Sequence, residues 1–200
     1  MISDCTAIIM AGGESQRMGS DKATLLLGEQ TLLQRVIDVV QPMFPQVLVS
    51  VRQPRPDIRL PQICDAYPNA GPLAGLCAGL EYANSSQVTW IFAVATDMPF
   101  VQPALIDQLA QRRAGYQAVV PVVHVQPQPL AAFYATSALG AIQAILSGPG
   151  KRSLRAALEQ LNVCYVDESE LQAADPGMRS FFDLDTPQDL AAARRSEESV

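Results

Sequence analysis

The sequence predicts an α/β fold: a single domain in three α/β/α layers around a mostly parallel sheet. Three observations predict it. Short apolar runs rich in β-branched residues alternate with segments whose apolar residues recur at helical spacing. One run, Thr89 to Val94, is apolar almost throughout, as a strand covered on both faces should be. The chain of 200 residues, 48% hydrophobic and 17% charged, is long and apolar enough to bury one core.

In chain order, Thr6 to Met10 reads as strand one, ended by a glycine pair. Thr31 to Val40 places Leu32, Leu33, Val36, Ile37 and Val40 on one helical face. Val47 to Val51 is the next strand, and Ile63-Cys-Asp65 ends a further short one. Pro72 to Ala83 reads as a helix opening on proline, whose missing N–H costs nothing there. Thr89 to Val94 is a strand, and Pro103 to Arg112 a helix through Leu105, Ile106 and Leu109. Farther on, Gln117 to Val122 and Leu130 to Tyr134 are expected strands, flanking a loop broken by Pro127 and Pro129. Ser137 to Leu146 and Ser153 to Leu161 are expected helices, and Asn162 to Val166 a late strand. Thr186 to Arg194 is a closing helix that Asp185 or Thr186 can cap, with Pro187 and Asp189 in its first turn. The expected domain is 1–195, with a polar, disordered tail at 196–200.

Composition excludes several classes. A formal net charge of −6 argues against nucleic acid, which demands a basic face. No run reaches the length of a membrane span, and the first residues lack a basic segment followed by an apolar one, so a cytoplasmic location is expected. Cys5, Cys64, Cys77 and Cys164 have neither paired nor metal-binding spacing, and read as buried or semi-buried thiols in a reducing compartment.

In an open α/β sheet, ligands bind outside the carboxyl ends of the strands. Strand one delivers Met10-Ala-Gly-Gly-Glu-Ser-Gln-Arg-Met-Gly-Ser-Asp-Lys22. Adjacent Gly12 and Gly13 let backbone N–H groups converge on an anion. Arg17 and Lys22, one of only two lysines, add a forked cation and a compact one. A triphosphate needs that combination, although neither a G-K-[ST] ending nor G-x-G-x-x-G is present. The strand ending at Val94 runs into Ala-Thr-Asp-Met-Pro-Phe100, which fixes Asp97 as a rigid oxygen ligand suited to Mg²⁺. Asp65 is a candidate for reading guanine, whose N1–H and N2–H₂ one carboxylate can accept together, and equally an ordinary loop aspartate.

The order Met-Ala-Gly-Gly-x₃-Arg-Met-Gly-x-Asp-Lys, Asp65 ahead of Gly71-Pro-Leu-Ala-Gly75, Thr96-Asp-Met-Pro99 and Asp185-Thr-Pro187 resembles the molybdenum cofactor guanylyltransferase (MobA) family. The resemblance runs over almost the whole chain. It implies a Rossmann-like nucleotidyltransferase fold with a nucleotide-binding half at about 1–100 and an acceptor-binding half at about 101–195. It also implies the reaction: GTP and molybdopterin carrying molybdenum give the guanine dinucleotide cofactor and pyrophosphate. By the same resemblance Met10, Ala11 and Gly12 line the nucleotide, Lys22 holds phosphate, Asp65 reads guanine, and Asp97 binds Mg²⁺ and touches the nucleotide. Three positions depart from the family. An asparagine at the end of the second main strand falls on Ser50, and Asn-x-Asn-Thr-Pro becomes Asp183-Leu-Asp-Thr-Pro187.

The acceptor's terminal phosphate is ionised at neutral pH, so attack on the α-phosphorus needs no strong protein base. Positioning and charge stabilisation by Mg²⁺, Arg17 and Lys22 suffice. His124, the single histidine, reads as a loop residue. Lys151, Arg152 and Arg155 either meet the anionic pterin or form a solvated helix start. Proteins that deliver or receive the cofactor are further candidate partners. Rival readings are the cofactor cytidylyltransferase, another small nucleotidyltransferase, and a non-catalytic cofactor carrier. Asp65 with Gly71 to Gly75 argues against the first, and Lys22 with Asp97 against the last.

Overall fold

The structure, a computed structural model, describes residues 1–12, 22–64, 66–67, 70–184 and 186–197. Strand β1 (Cys5–Met10) is followed by a 3₁₀ turn (Lys22–Thr24), a small hairpin of β2 (Leu26–Leu27) and β3 (Gln30–Thr31), α1 (Leu32–Val40), β4 (Gln46–Val51) and β5 (Gln62–Cys64). Then come α2 (Pro72–Ser85), β6 (Trp90–Ala95), α3 (Pro103–Ala110), β7 (Ala118–Val123), β8 (Gln126–Pro127) and β9 (Ala131–Ala135). The chain closes with α4 (Leu139–Ser147), α5 (Leu154–Leu158), β10 (Val163–Asp167), α6 (Glu168–Leu171) and α7 (Pro187–Glu197).

Among the described residues, the main sheet runs β10-β7-β9-β6-β1-β4-β5, with β8 hairpinned onto β7. β1 pairs in parallel with both β4 and β6, β4 with β5, and β10 with β7. β9 runs antiparallel to β6 and β7, so the sheet is mostly parallel but mixed. Successive strand side chains point to opposite faces. Ala7 and Ile9 of β1 therefore join the layer of α1 and α3, while Ile8 and Met10 join that of α2, α4 and α5. The first layer centres on Phe44, Phe92 and Phe133, with Phe92 and Phe133 ring centroids 4.8 Å apart.

The predicted elements are present, with informative differences. The second-half segment 153–161 is helical only over Leu154–Leu158, because Asn162 already bonds across to Gly115 and Gln117 at the foot of β7. The proline-broken loop is a tight β7–β8 hairpin, in which exposed His124 and Val125 take left-handed backbone angles. The closing helix is capped by Thr186, which exchanges bonds with Asp189; Asp185, the other candidate, lies outside the described residues. That helix reaches Glu197, so the tail expected at 196–200 begins with two helical residues. Among the described residues, no helix is long and apolar enough to cross a membrane.

Gly140 lies exposed in the first turn of α4, and a Cβ there would meet nothing within 4 Å. Gly140→Ala is expected to stabilise the fold by about 0.5–1 kcal/mol, through helix propensity and a less flexible unfolded chain. Calorimetry should show the melting temperature rise by about 1–4 °C, and a fall would contradict the open geometry at this position.

All four cysteines are free thiols, but one departs from expectation: Cys64, last residue of β5, is exposed. Burial pushes the Cys5 thiol up, and burial with the nearby Glu81 carboxylate raises Cys77 to about 12. At pH 8 the thiolate fraction of Cys77 is then about one in ten thousand. An aromatic disulfide reagent should label Cys64 in the native protein and leave Cys5 and Cys77 for denaturant. Native labelling of Cys77 at a comparable rate would contradict the packing of α2.

Candidate active site

The strand order reverses at β1: the chain passes to β4 on one side and, later, to β6 on the other. The carboxyl end of β1 is thus the topological switch point, where a crevice opens between diverging connections. Met10 stands in register with Ser50 of β4 and Ala95 of β6. Beyond the strand, the Ala11 amide donates to the Ser50 carbonyl at 2.9 Å. On the other side, both the amide and the hydroxyl of buried Thr96 donate to the Met10 carbonyl, at 3.3 and 3.2 Å. The main chain at Met10 to Gly12 is therefore pinned from both flanks.

Two motifs far apart in sequence meet there. Lys22 Nζ donates to Asp97 Oδ2 at 2.7 Å across 75 residues of chain. Both side chains are largely shielded, with relative exposures of 16% and 22%. Lys22 is held by its 3₁₀ turn, which anchors through buried Ala23. Asp97 is held from behind, since its backbone carbonyl accepts the Leu184 amide at 3.1 Å. A lysine and a carboxylate so placed form a charged pair that an anionic ligand can engage from one side and a cation from the other.

Helix α2 forms the floor behind this cradle. Its N-cap, Gly71, has φ +57°, a conformation that glycine adopts without a Cβ penalty, and Pro72 follows in the first turn. Gly75 lies one turn on, where a Cβ would stand 2.5 Å from Ser50 Oγ and 2.6 Å from Met10 Cε. One turn farther, a Cβ on Gly79 would overlap Ile8 Cδ1. Gly75 lets the helix lie on the ends of β1 and β4, and Gly79 lets it lie on the middle of β1, whereas Gly71 meets nothing and serves the turn that opens the helix. The Gly71-Pro-Leu-Ala-Gly75 motif is visible in the sequence, and the structure adds the close approach that Gly75 permits. Arg52, after β4, is another residue not singled out; a Cβ on Gly12 would come within 3.6 Å of its Cγ.

Of the expected site residues, Met10, Ala11, Gly12, Lys22, Ser50 and Asp97 come together. Ser50 is buried beneath the cradle, at the Gly75 contact. Gly13, Arg17 and Asp65 lie outside the described residues. Lys151, Arg152 and Arg155 are exposed, and Arg155 makes only a 3.9 Å surface pair with Glu159. Among the described residues, no three His, Cys, Asp or Glu side chains cluster as a metal site.

One turn tied to the segment after Asp97 was not legible beforehand. Buried Asp175 accepts the amides of Arg179 and Ser180 at 3.0 and 2.8 Å, fixing a 3₁₀ turn at Arg179–Phe181. Ser180 Oγ in turn accepts the Gln102 amide at 3.0 Å, tying this turn to the segment after Asp97.

Comparison with known proteins accords with this geometry. Residues 7–163 match the MobA-like NTP transferase domain. A protein of Chloroflexus aggregans named "Probable molybdenum cofactor guanylyltransferase" is 36% identical over 193 residues, covering 92% of this chain and 91% of that one. The chain belongs to the molybdenum cofactor guanylyltransferase family. The family's "Molybdenum cofactor guanylyltransferase" of Vibrio cholerae is 31% identical over 195 residues, covering 94% of this chain and 91% of its own length. Among solved structures, molybdopterin-guanine dinucleotide biosynthesis protein A of Archaeoglobus fulgidus superposes with a TM-score of 0.84 at 29% identity, covering 98% of this chain and 100% of that one. The 2-C-methyl-D-erythritol 4-phosphate cytidylyltransferase of Thermus thermophilus, at 20% identity and a TM-score of 0.65 over 96% of this chain and 98% of its own, shares the fold.

Proposed function

We propose that this family member transfers GMP from GTP to molybdopterin carrying molybdenum, forming the guanine dinucleotide cofactor and pyrophosphate. The observation that carries the reading is the 2.7 Å contact of Lys22 with Asp97 beside the pinned main chain of Met10 to Gly12. It brings a lysine suited to phosphate against a carboxylate at the carboxyl end of β1, where the sheet topology opens a crevice.

Asp97 fits a role as Mg²⁺ ligand. It is a single, rigidly placed carboxylate, partly open to solvent, and Mg²⁺ takes one or two carboxylates together with substrate phosphates. When bound, Mg²⁺ supplies neutralisation of charge on the triphosphate and on the departing pyrophosphate. The remaining roles belong to the chain. The main chain of Met10, Ala11 and Gly12 lines the nucleotide, with the Ala11 amide held by the Ser50 carbonyl. Lys22 and Arg17 hold the phosphates, Asp65 selects guanine, and Gly13 and Ser50 complete the nucleotide contacts. An oxygen of the acceptor's terminal phosphate forms a bond to the α-phosphorus as the bond to the β-phosphate oxygen breaks. No protein base is required, because that oxygen carries no proton at neutral pH. The segment beyond about residue 100 supplies the acceptor side.

Equilibrium binding tests the nucleotide roles separately from turnover. Lys22→Ala should weaken GTP by about tenfold or more, the range of a charge-assisted hydrogen bond. Asp65→Ala should erase a preference for GTP over CTP while binding persists. An unchanged GTP dissociation constant in Lys22→Ala would remove the lysine from the site.

A further inference from the structure

The geometry points to a ring-stacking platform for the acceptor, built from Phe182, Phe100 and Arg179 beside Asp97. The inference rests on the reading of the acceptor as an anionic pterin and assigns residues to its recognition.

Phe182 is 39% exposed, whereas Phe44, Phe92 and Phe133 are buried. Its ring lies 6.3 Å from that of Phe100, tilted by 56°, so the pair packs edge to face and leaves ring surface open. The Arg179 guanidinium sits 4.8 Å over the Phe100 ring. Arg179 is exposed and makes no ion pair with the described carboxylates, in a chain of net charge −6. An exposed cation stacked on an aromatic, next to a second open ring, is complementary to a flat heteroaromatic bearing negative charge.

The platform is continuous with the reaction site. Phe100 follows Asp97 by three residues, and Leu184, two after Phe182, donates its amide to the Asp97 carbonyl at 3.1 Å. It is also rigid: Asp175 caps the turn that carries Arg179, and Ser180 binds the Gln102 amide. Rigid support is what a site needs to hold a ring with its phosphate aimed at the α-phosphorus.

Fluorescence titration with a pterin carboxylate, alongside GTP titration, tests this on the full chain. Phe182→Ala should weaken the pterin by about tenfold or more, the range of losing one stacking face, with Phe182→Tyr restoring it. Arg179→Gln should weaken it less and flatten its salt dependence. GTP affinity should stay unchanged in all three variants, which also reports that they are folded. Wild-type pterin affinity in Phe182→Ala, or no pterin binding by the wild-type chain, would overturn the platform. Pterin binding that depends on Phe182, in a protein releasing no pyrophosphate from any nucleotide with the molybdenum-bearing acceptor, would uphold the platform and reject the proposed reaction.

Discussion

Replacing Asp97 by asparagine is expected to lower Mg²⁺-dependent turnover by about 10²–10³-fold or more, the effect of deleting a group that stabilises transition-state charge. The fold should survive. Asparagine has the same shape, and the link from the Asp97 carbonyl to the Leu184 amide is made by backbone that the substitution leaves intact. What is lost is the negative charge that faces Lys22 at 2.7 Å. Initial-rate assays over a Mg²⁺ series, with calorimetry as the fold control, would show it. Wild-type rates with an unchanged Mg²⁺ dependence would remove Asp97 from the chemistry.

Gly75→Val should have a large effect although it touches no charge. Its first carbon would meet Ser50 Oγ and Met10 Cε at 2.5 and 2.6 Å, with the added methyls beyond. Overpacking of this kind costs about 1–3 kcal/mol, and valine returns less of the helix propensity, about 1 kcal/mol, that alanine would return. The melting temperature should fall by about 3–10 °C. More tellingly, α2 is displaced from the strand ends that carry the nucleotide cradle, so KM for GTP should rise by about tenfold or more. An unchanged KM with a lowered melting temperature would mean that the close approach serves packing alone.

These residues also show what could be read beforehand. The strand from Trp90 is a continuous apolar run and those from Cys5 and Gln46 are mostly apolar, the signature a central strand leaves whatever its neighbours do. The reversed direction of β9 left none, because side-chain alternation is blind to polarity. The short helix α6 does carry a readable signal, the Asp167 and Glu170 capping box. Lys22 and Asp97 were each legible as motif residues at strand ends, and topology supplied their meeting. The Phe100, Arg179 and Phe182 wall was not legible. Its side chains look like ordinary core and surface residues until the Asp175 turn folds back over the loop after β6.

The most direct test of guanylyl transfer is pyrophosphate release from GTP, CTP, ATP and UTP, with Mg²⁺ and molybdenum-bearing molybdopterin. The account predicts release from GTP alone, dependent on the acceptor. Release from CTP in preference to GTP would contradict it, moving the chain to cytidylyl transfer on the same fold. Absence of release from every nucleotide, by folded protein that still binds GTP, would contradict it as well and leave a cofactor-binding role.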